Sequence, residues 1–438
     1  MEKQKVAFYT LGCKLNYSET STISKQFLEK GFEVVDYNNA AQVYVINTCT
    51  VTENAEKDCR QIVRRALRNN PNAYIIVTGC YAQLRPQEIA SIEGVDAVLG
   101  SNEKFEIFDK LNSFNKHLPS CVYVTPTEKL NSFHSAFTVE EDSRTRAFFK
   151  IQDGCDYKCS FCTIPLARGK SRSLNPDEVK LQFKKILESG FKEIILTGVN
   201  VGDYGKSFQK NLASLLKELI SIQGEFRIRI SSIEPNLLSD EIIEMASSEE
   251  KICKHFHIPL QSGSPKILRL MQRRYTVEDY QTLILKVIKN IKDLAVGVDV
   301  IVGFPGETED DFLQTYNFIK ELPVTYLHVF TYSERPNTKA INLDGVVDIN
   351  ERKKRNNMLR ILSEKKRNEF YNNSIDKELI ALFEHEENNG LIKGFTSNYI
   401  RVQSKFNANL INKFVKVRIK EVKGNICTTE IVNSAQTN

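Results

Sequence analysis

From residue 6 to residue 332, short apolar runs alternate with stretches of helical periodicity, and this alternation limits the possible folds more than any other feature. Strands that alternate with helices build parallel sheets covered by crossover helices. In the first part of the chain the strand-like runs are 6–11, 43–47, 74–78 and 97–99, separated by amphipathic segments at 20–29, 55–68 and 86–92. They predict a parallel-sheet α/β domain over residues 1–115. The pattern resumes on a larger scale with strand candidates at 148–152, 193–198, 227–233, 255–260, 296–303 and 327–332, and helical stretches at 176–189, 212–222, 276–291 and 309–320. Six such units predict a partial (βα)6 barrel over 144–371, a fold that places chemistry at the carboxyl ends of its strands.

The remaining segments break this pattern. Residues 116–143 carry Pro119 and Pro126 without a sustained period and read as a linker or an irregular crossover. Residues 350–370 form a basic helix-like stretch. Five short strands follow, at 378–384, 390–395, 399–403, 413–419 and 425–432, which suit a small all-β, OB-like barrel over 372–438, an architecture often used to bind oligonucleotides.

Hydrophobic residues at 41% and charged residues at 26% are globular values that exclude wholesale disorder. No run approaches the ~18 apolar residues of a membrane span. The start, Met1-Glu2-Lys3-Gln4-Lys5, leads into the first strand without an apolar signal core, so a cytoplasmic protein with no membrane partner is expected. There the ten cysteines would be thiols or metal ligands. Net charge is +5, but residues 351–438 hold 17 Lys/Arg against 10 Asp/Glu, a net +7, and the rest of the chain is −2. That asymmetry points to an anionic partner at the C-terminal end, nucleic acid first, or to a solvated charged face. On the last strands Lys416, Arg418 and Lys420 alternate with Val417 and Ile419, which places three cations on one face as a phosphate-tracking stripe or an ordinary solvated surface. Phe395 and Tyr399 could offer stacking surface.

Two sets of cysteines carry chemistry. Cys155, Cys159 and Cys162 form a C-x3-C-x2-C directly after the first barrel strand. Three thiolates within eight residues meet at one centre only if the backbone loops around it, as it does around iron–sulfur clusters. A four-iron cube held by three cysteines keeps one iron open to a substrate or cofactor. Zinc is the alternative, although a structural zinc takes four ligands and the remaining candidates, Cys253, His255 and His257, are distant in sequence. The second set is Cys13, Cys49 and Cys80, each one or two residues past a strand. In a parallel sheet these ends share one edge, so the fold can gather what the sequence scatters. Gly12 and Gly79 would let the backbone approach closely there. Cys59, Cys121, Cys253 and Cys427 read as ordinary thiols.

The cysteine loop, with Phe161 before its last cysteine, resembles the radical S-adenosylmethionine (SAM) superfamily. The continuation Thr163-Ile164-Pro165-Leu166-Ala167-Arg168-Gly169-Lys170 is similar to methylthiotransferases. So are Leu196-Thr197-Gly198-Val199-Asn200, Ser231-Ser232-Ile233-Glu234-Pro235, His257-Ile258-Pro259-Leu260-Gln261-Ser262-Gly263-Ser264 and Asp299-Val300-Ile301-Val302-Gly303-Phe304-Pro305-Gly306-Glu307-Thr308. Within that family Cys13-Lys14-Leu15-Asn16 looks most like the bacterial tRNA N6-threonylcarbamoyladenosine (t6A) enzymes. Enzymes acting on N6-isopentenyladenosine tend to have methionine where Leu15 stands, and those acting on a ribosomal protein have a more acidic C-terminal module.

The resemblance implies SAM and two [4Fe-4S] clusters, one on Cys155, Cys159 and Cys162 and an auxiliary one on Cys13, Cys49 and Cys80. It implies that Phe161, Gly198, Asn200, Ser232, Gln261 and Asp299 line the SAM site, with no general base among them. The C-terminal module would be a TRAM-like RNA-binding domain. The reaction implied is methylthiolation at C2 of t6A at position 37 of tRNA, in the anticodon stem-loop, by a 5′-deoxyadenosyl radical that takes hydrogen from C2. An electron donor such as flavodoxin or ferredoxin and a sulfur donor would be partners. The alternatives are the isopentenyladenosine or ribosomal-protein substrates, and a non-enzymatic, zinc-stabilised RNA-binding protein.

Overall fold

Every residue of Val43–Thr48 and Tyr74–Gly79 is buried, as expected of strands covered on both faces. In the computed structural model, which describes residues 3–49, 55–111, 113–116, 119–138 and 145–432, these two runs form the centre of a parallel sheet. Its strands are β1 (Lys5–Thr10), β2 (Glu33–Val35), β3 (Val43–Thr48), β4 (Tyr74–Gly79), β5 (Ala97–Leu99) and β6 (Cys121–Tyr123), in the order β2-β1-β3-β4-β5-β6. The helices are α1 (Lys14–Glu29), α2 (Ala55–Asn69), α3 (Cys80–Leu84), α4 (Pro86–Ala90) and α5 (Ile107–Lys110). Ile23, Phe27 and Ile107 pack on one face of the sheet, and Ile62, Val63 and Ala66 of α2 on the other.

The segment expected to link the two halves does more than connect, since it supplies β6 to the first sheet. It also supplies β7 (Ala136–Phe137), which pairs antiparallel with β8 (Arg146–Lys150) in the next sheet. Residues 117–118 and 139–143 of that segment, residue 144 of the expected barrel and 433–438 of the expected C-terminal module lie outside the described residues, as do Met1 and Glu2.

The second body starts with β8. A small ribbon of β9 (Gln152–Asp153) and β10 (Arg172–Ser173) flanks α6 (Ile164–Arg168). Then come α7 (Pro176–Glu188), β11 (Glu193–Thr197), α8 (Leu212–Ile220), β12 (Arg227–Ile230), α9 (Asp240–Ser248), β13 (His255–His257), α10 (Pro265–Leu270), α11 (Val277–Asn290), β14 (Ala295–Val302), α12 (Glu309–Glu321) and β15 (Tyr326–Thr331). β8, β11 and β12 pair in parallel, as do β13, β14 and β15, and the bridges Ile228↔Ile252 and Ser232↔His257 join the halves. The six strands are the six read from the sequence. Capping boxes at Asn211/Ser214, Thr276/Asp279 and Thr308/Asp311 start three of the outer helices by satisfying amides that the first turn leaves free.

α13 (Ile349–Asn372) is the basic stretch, and it packs along β15, where Ser363 Oγ accepts from Leu327 N at 2.8 Å. Its cations serve the fold. Arg352 pairs with Glu334, Arg355 with Glu307, and Lys366 donates to the Leu322 carbonyl at 2.6 Å. The last strands, β16 (Glu378–Asn388), β17 (Leu391–Thr396), β18 (Arg401–Lys405), β19 (Phe414–Lys423) and β20 (Ile426–Ile431), close into a barrel in the order β16-β17-β18-β20-β19. This barrel docks on the amino ends of β8, β11 and β12. Arg227 and Arg229 donate to the carbonyls of Phe395, at 2.9 Å, and Ser397, at 3.1 Å. Beneath them Glu193 accepts from Arg146, Arg227 and Arg229; burial would raise its pKa, but the three guanidiniums hold it well below the carboxylate range. Among the described residues no helix is long and apolar enough to cross a membrane.

Candidate functional site

The carboxyl edge of the first sheet gathers its cysteines as the topology requires. Gly12 has φ +103°, and a Cβ there would stand 2.6 Å from Cys49 Sγ, so the turn leading into Cys13 lies directly against Cys49. Gly79 has φ +98°, and a Cβ there would strike the Thr48 carbonyl at 2.2 Å, which packs the turn into Cys80 on the end of β3. Cys13 is exposed, while Cys49 and Cys80 are buried. Asn16 ties these turns together by donating to the carbonyls of Leu11 and Thr48 at 2.8 and 3.0 Å.

The second set lies on a loop at the carboxyl end of β8. Gly154 opens it with φ +72°, where a Cβ would meet the Lys170 carbonyl at 2.0 Å. The loop closes on itself as Cys155 N donates to Gly169 O at 3.0 Å. Arg273, paired with Glu234, donates to Cys159 Sγ at 3.1 Å. The three sulfurs do not all lie within 4.8 Å of one another, whereas thiolates on one tetrahedral zinc stand about 3.8 Å apart. Burial raises the Cys155 thiol to about 11 and the Cys162 thiol to about 12, and raises Cys80 as well. Metal binding would displace the protons these thiols hold at neutral pH.

One side chain joins the two sets. Arg168, on α6 beyond the cysteine loop, donates to Cys80 Sγ at 3.2 Å, Glu19 Oε1 at 2.9 Å, Asp153 Oδ1 at 3.0 Å and Asn16 Oδ1 at 2.9 Å. Lys104 and Lys150 complete the buried network on Glu19, at 2.6 and 2.9 Å. Burial would raise the Glu19 pKa, but Arg168, Lys104 and Lys150 hold it well below the usual range. Arg172 also reaches Asp153. Four cations therefore meet two carboxylates next to Cys80, and the positive surplus fits an anionic, thiolate-ligated cluster at that edge. Arg168, Asn16 and Glu19 fall in segments that carry the resemblance, but the network itself is not legible there, because an ion pair between positions 19 and 104 or 150 leaves no local pattern.

Of the expected SAM-site residues, Phe161, Gly198, Asn200, Ser232 and Gln261 follow the carboxyl ends of β8, β11, β12 and β13, and Asp299 lies within β14. Phe161, Gln261 and Asp299 line one cleft of ≈ 660 Å³ together with Cys162, a volume in the range of small-molecule sites. Phe161 meets Phe304 edge-on, with ring centroids 6.3 Å apart. Gly198 packs on the Gln152 side chain, and Gln152 Oε1 accepts from Asn200 N at 2.8 Å. The Asn200 amide, the hydroxyls of Thr197, Ser231 and Ser333 and the Tyr332 phenol are buried without a hydrogen-bond partner among the described residues. Five polar groups left open at one end of a barrel fit a polar ligand that would satisfy them. Ser232 sits at the junction of the two half-sheets, bridged to His257.

Asp299 differs from expectation in having partners of its own. Its Oδ1 lies 2.8 Å from His257 Nε2 and 3.3 Å from His328 Nδ1. Burial would raise its pKa, yet these imidazoles hold it below the carboxylate range. The sequence offers His257 only within a quoted motif and as a distant zinc candidate, and offers no role for His328.

The C-terminal barrel shows what the expected cations and rings touch. Lys416 and Arg418 both pair with Glu378, and Lys420 pairs with Glu430, so three partly exposed cations face two carboxylates. Two of the three share an acid contributed by the neighbouring β16, which reading one strand cannot reveal. Phe395 and Tyr399 stack on each other at 4.9 Å. Arg146 lies over both rings, Arg401 over Phe395 and Arg229 over Tyr399, so they fasten the barrel to the core.

Comparison with known proteins agrees with this geometry. The radical SAM superfamily model matches residues 149–319, and the model described as uncharacterized protein family UPF0004 matches residues 5–100. The chain is 43% identical over 94% of its length to the threonylcarbamoyladenosine tRNA methylthiotransferase MtaB of Bacillus subtilis, covering 93% of that protein. It belongs to the radical SAM methylthiotransferase family. A second member, the tRNA-2-methylthio-N(6)-dimethylallyladenosine synthase of Fusobacterium nucleatum, is 33% identical over 96% of this chain and 98% of its own. The fold is shared with the radical SAM methyltransferase TsrM of Kitasatospora setae, at a TM-score of 0.57 and 15% identity over 78% of this chain and 77% of that one. Membership in the family implies SAM and a [4Fe-4S] cluster as cofactors of this methylthiotransferase.

Proposed function

We propose that this enzyme attaches a methylthio group to C2 of N6-threonylcarbamoyladenosine in tRNA, beside the anticodon. The observation that carries the substrate is the near full-length identity of 43% to a relative named for that nucleoside, against 33% to one named for the dimethylallyl form. In this reading Cys155, Cys159 and Cys162 would hold a [4Fe-4S] cluster that works with SAM, and Cys13, Cys49 and Cys80 would hold a second. When bound, these groups supply the radical that removes hydrogen from C2 and the sulfur that replaces it.

The side chains position and seclude. Phe161 and Gln261 wall the SAM cleft, and the buried amide of Asn200 and hydroxyls of Thr197 and Ser231 offer hydrogen bonds to the cofactor's polar end. Arg168 keeps the loop of Cys162 in register with Cys80. An electron donor such as flavodoxin or ferredoxin and a sulfur donor complete the reaction, and the small C-terminal barrel is a TRAM-like module positioned beside the core. Mass spectrometry of tRNA nucleosides from a deletion strain tests the substrate. The methylthio form of threonylcarbamoyladenosine should vanish while that of isopentenyladenosine persists, and the reverse pattern would overturn the assignment.

A further inference from the structure

The paired cations of the C-terminal barrel raise the question of where the enzyme meets the tRNA backbone. Helix α2 carries Arg60, Arg64, Arg65 and Arg68, within the part of the chain whose net charge is −2. Positions 57, 60, 64 and 68 follow the helical repeat, so Lys57, Arg60, Arg64 and Arg68 share one face. The opposite face, with Ile62, Val63 and Ala66, is buried on the sheet.

The arginines line a groove of ≈ 1020 Å³ in which Glu93 is the one carboxylate among the described residues. Arg64 and Arg68 are exposed, and neither has an ion-pair partner among the described residues. Arg65 is held by the Asn38 side chain and lies 5.7 Å from the centre of the Tyr37 ring. Like charges spaced four apart on a helix repel. The Arg64–Arg68 pair costs stability in isolation, a cost that a polyanion lying along it would relieve.

Tyr9 of β1 also lines the groove and lies four residues before Cys13, and α2 follows the β3 strand that leads to Cys49. From Arg60 to Arg68 the row extends about 12 Å along the helix.

We propose that this groove is a docking track for the phosphate backbone of the tRNA, in addition to the C-terminal barrel. The proposal rests on the tRNA reading given above. Phosphate contacts of this kind fix the orientation of the nucleic acid without reading its sequence. They give binding that weakens steeply with salt.

The test is tRNA binding by the full-length holoenzyme carrying Arg64→Glu and Arg68→Glu, measured over a series of salt concentrations. The dissociation constant should rise about tenfold or more, and the slope of log K against log salt should fall by about one to two. Arg64→Lys with Arg68→Lys should keep both close to wild type. An unchanged affinity and slope in the glutamate variant overturns the proposal, and so does an equal loss in the lysine variant, which would assign the effect to shape. A wild-type enzyme that does not bind tRNA overturns the substrate reading itself, an outcome distinct from failure of the groove alone.

Discussion

The two cysteine sets reach similar ends by different routes. Cys155, Cys159 and Cys162 lie within one loop whose closure is local, from Gly154 to Gly169. Cys13, Cys49 and Cys80 are brought together only by the register of three parallel strands. A loop can keep its geometry when distant parts of the molecule shift, but a site assembled by a sheet depends on every strand beneath it. The two are not independent, because Arg168 extends from the first set to a sulfur of the second.

The largest effects should come from removing one set at a time. Replacing Cys155, Cys159 and Cys162 together by Ala should abolish formation of 5′-deoxyadenosine from SAM, measured by chromatography. Replacing Cys13, Cys49 and Cys80 by Ala should abolish the methylthio product and leave SAM cleavage in place. If the second variant also fails to cleave SAM, the division of labour between the sets is wrong.

Arg168→Met attacks the link. It removes a guanidinium from Glu19 and Asp153, both buried, and breaking a buried ionic network commonly costs ~3–5 kcal/mol. The apparent unfolding temperature should fall, and the fall should exceed that of Lys180→Met, an exposed pair with Asp177. Equal shifts would mean that the network bears no special load.

The glycines sharpen the contrast further. Gly12→Ala strains a backbone at φ +103° and drives a methyl against Cys49, and Gly154→Ala does the same at φ +72° against the Lys170 carbonyl. Strain of this kind costs of order 1–3 kcal/mol. On the two-cluster proposal, the first should selectively diminish the absorbance of a cluster on Cys13, Cys49 and Cys80, and the second that of a cluster on Cys155, Cys159 and Cys162. Loss of both clusters in either variant would show that the sets do not assemble separately.

The smallest effect at neutral pH concerns acid. Glu19 and Asp153 have pKa values held below their unfolded values, so the stability they confer is present above about pH 4.3 and is lost as pH falls from there toward their folded values. A denaturation series from pH 7 to pH 3 should therefore show a steep acid limb, and Glu19→Gln, less stable at pH 7, should show a shallower one.

Most of the architecture could be read from periodicity, because burial on both faces gives β3 and β4 uninterrupted apolar runs and half-burial gives the outer helices their stripes. The metal-ligand candidates were legible for a second reason: parallel topology sends Cys13, Cys49 and Cys80 to one edge without any side-chain detail. What escaped depends on pairs far apart in sequence. Glu378 pairs with both Lys416 and Arg418 from another strand, and Arg146 covers Phe395 from another domain. Net charge is blind to such pairs, since it counts Arg64 and Arg418 alike although one is unpaired among the described residues and the other pairs with Glu378.

The central claim is that the chain holds two separate iron–sulfur clusters, and metal stoichiometry tests it most directly. Anaerobically purified wild-type protein should contain about eight iron and eight sulfide per chain, and each triple cysteine variant about four of each. A wild-type protein with about four, a colourless one carrying zinc, or a triple variant that loses all its iron would contradict the account.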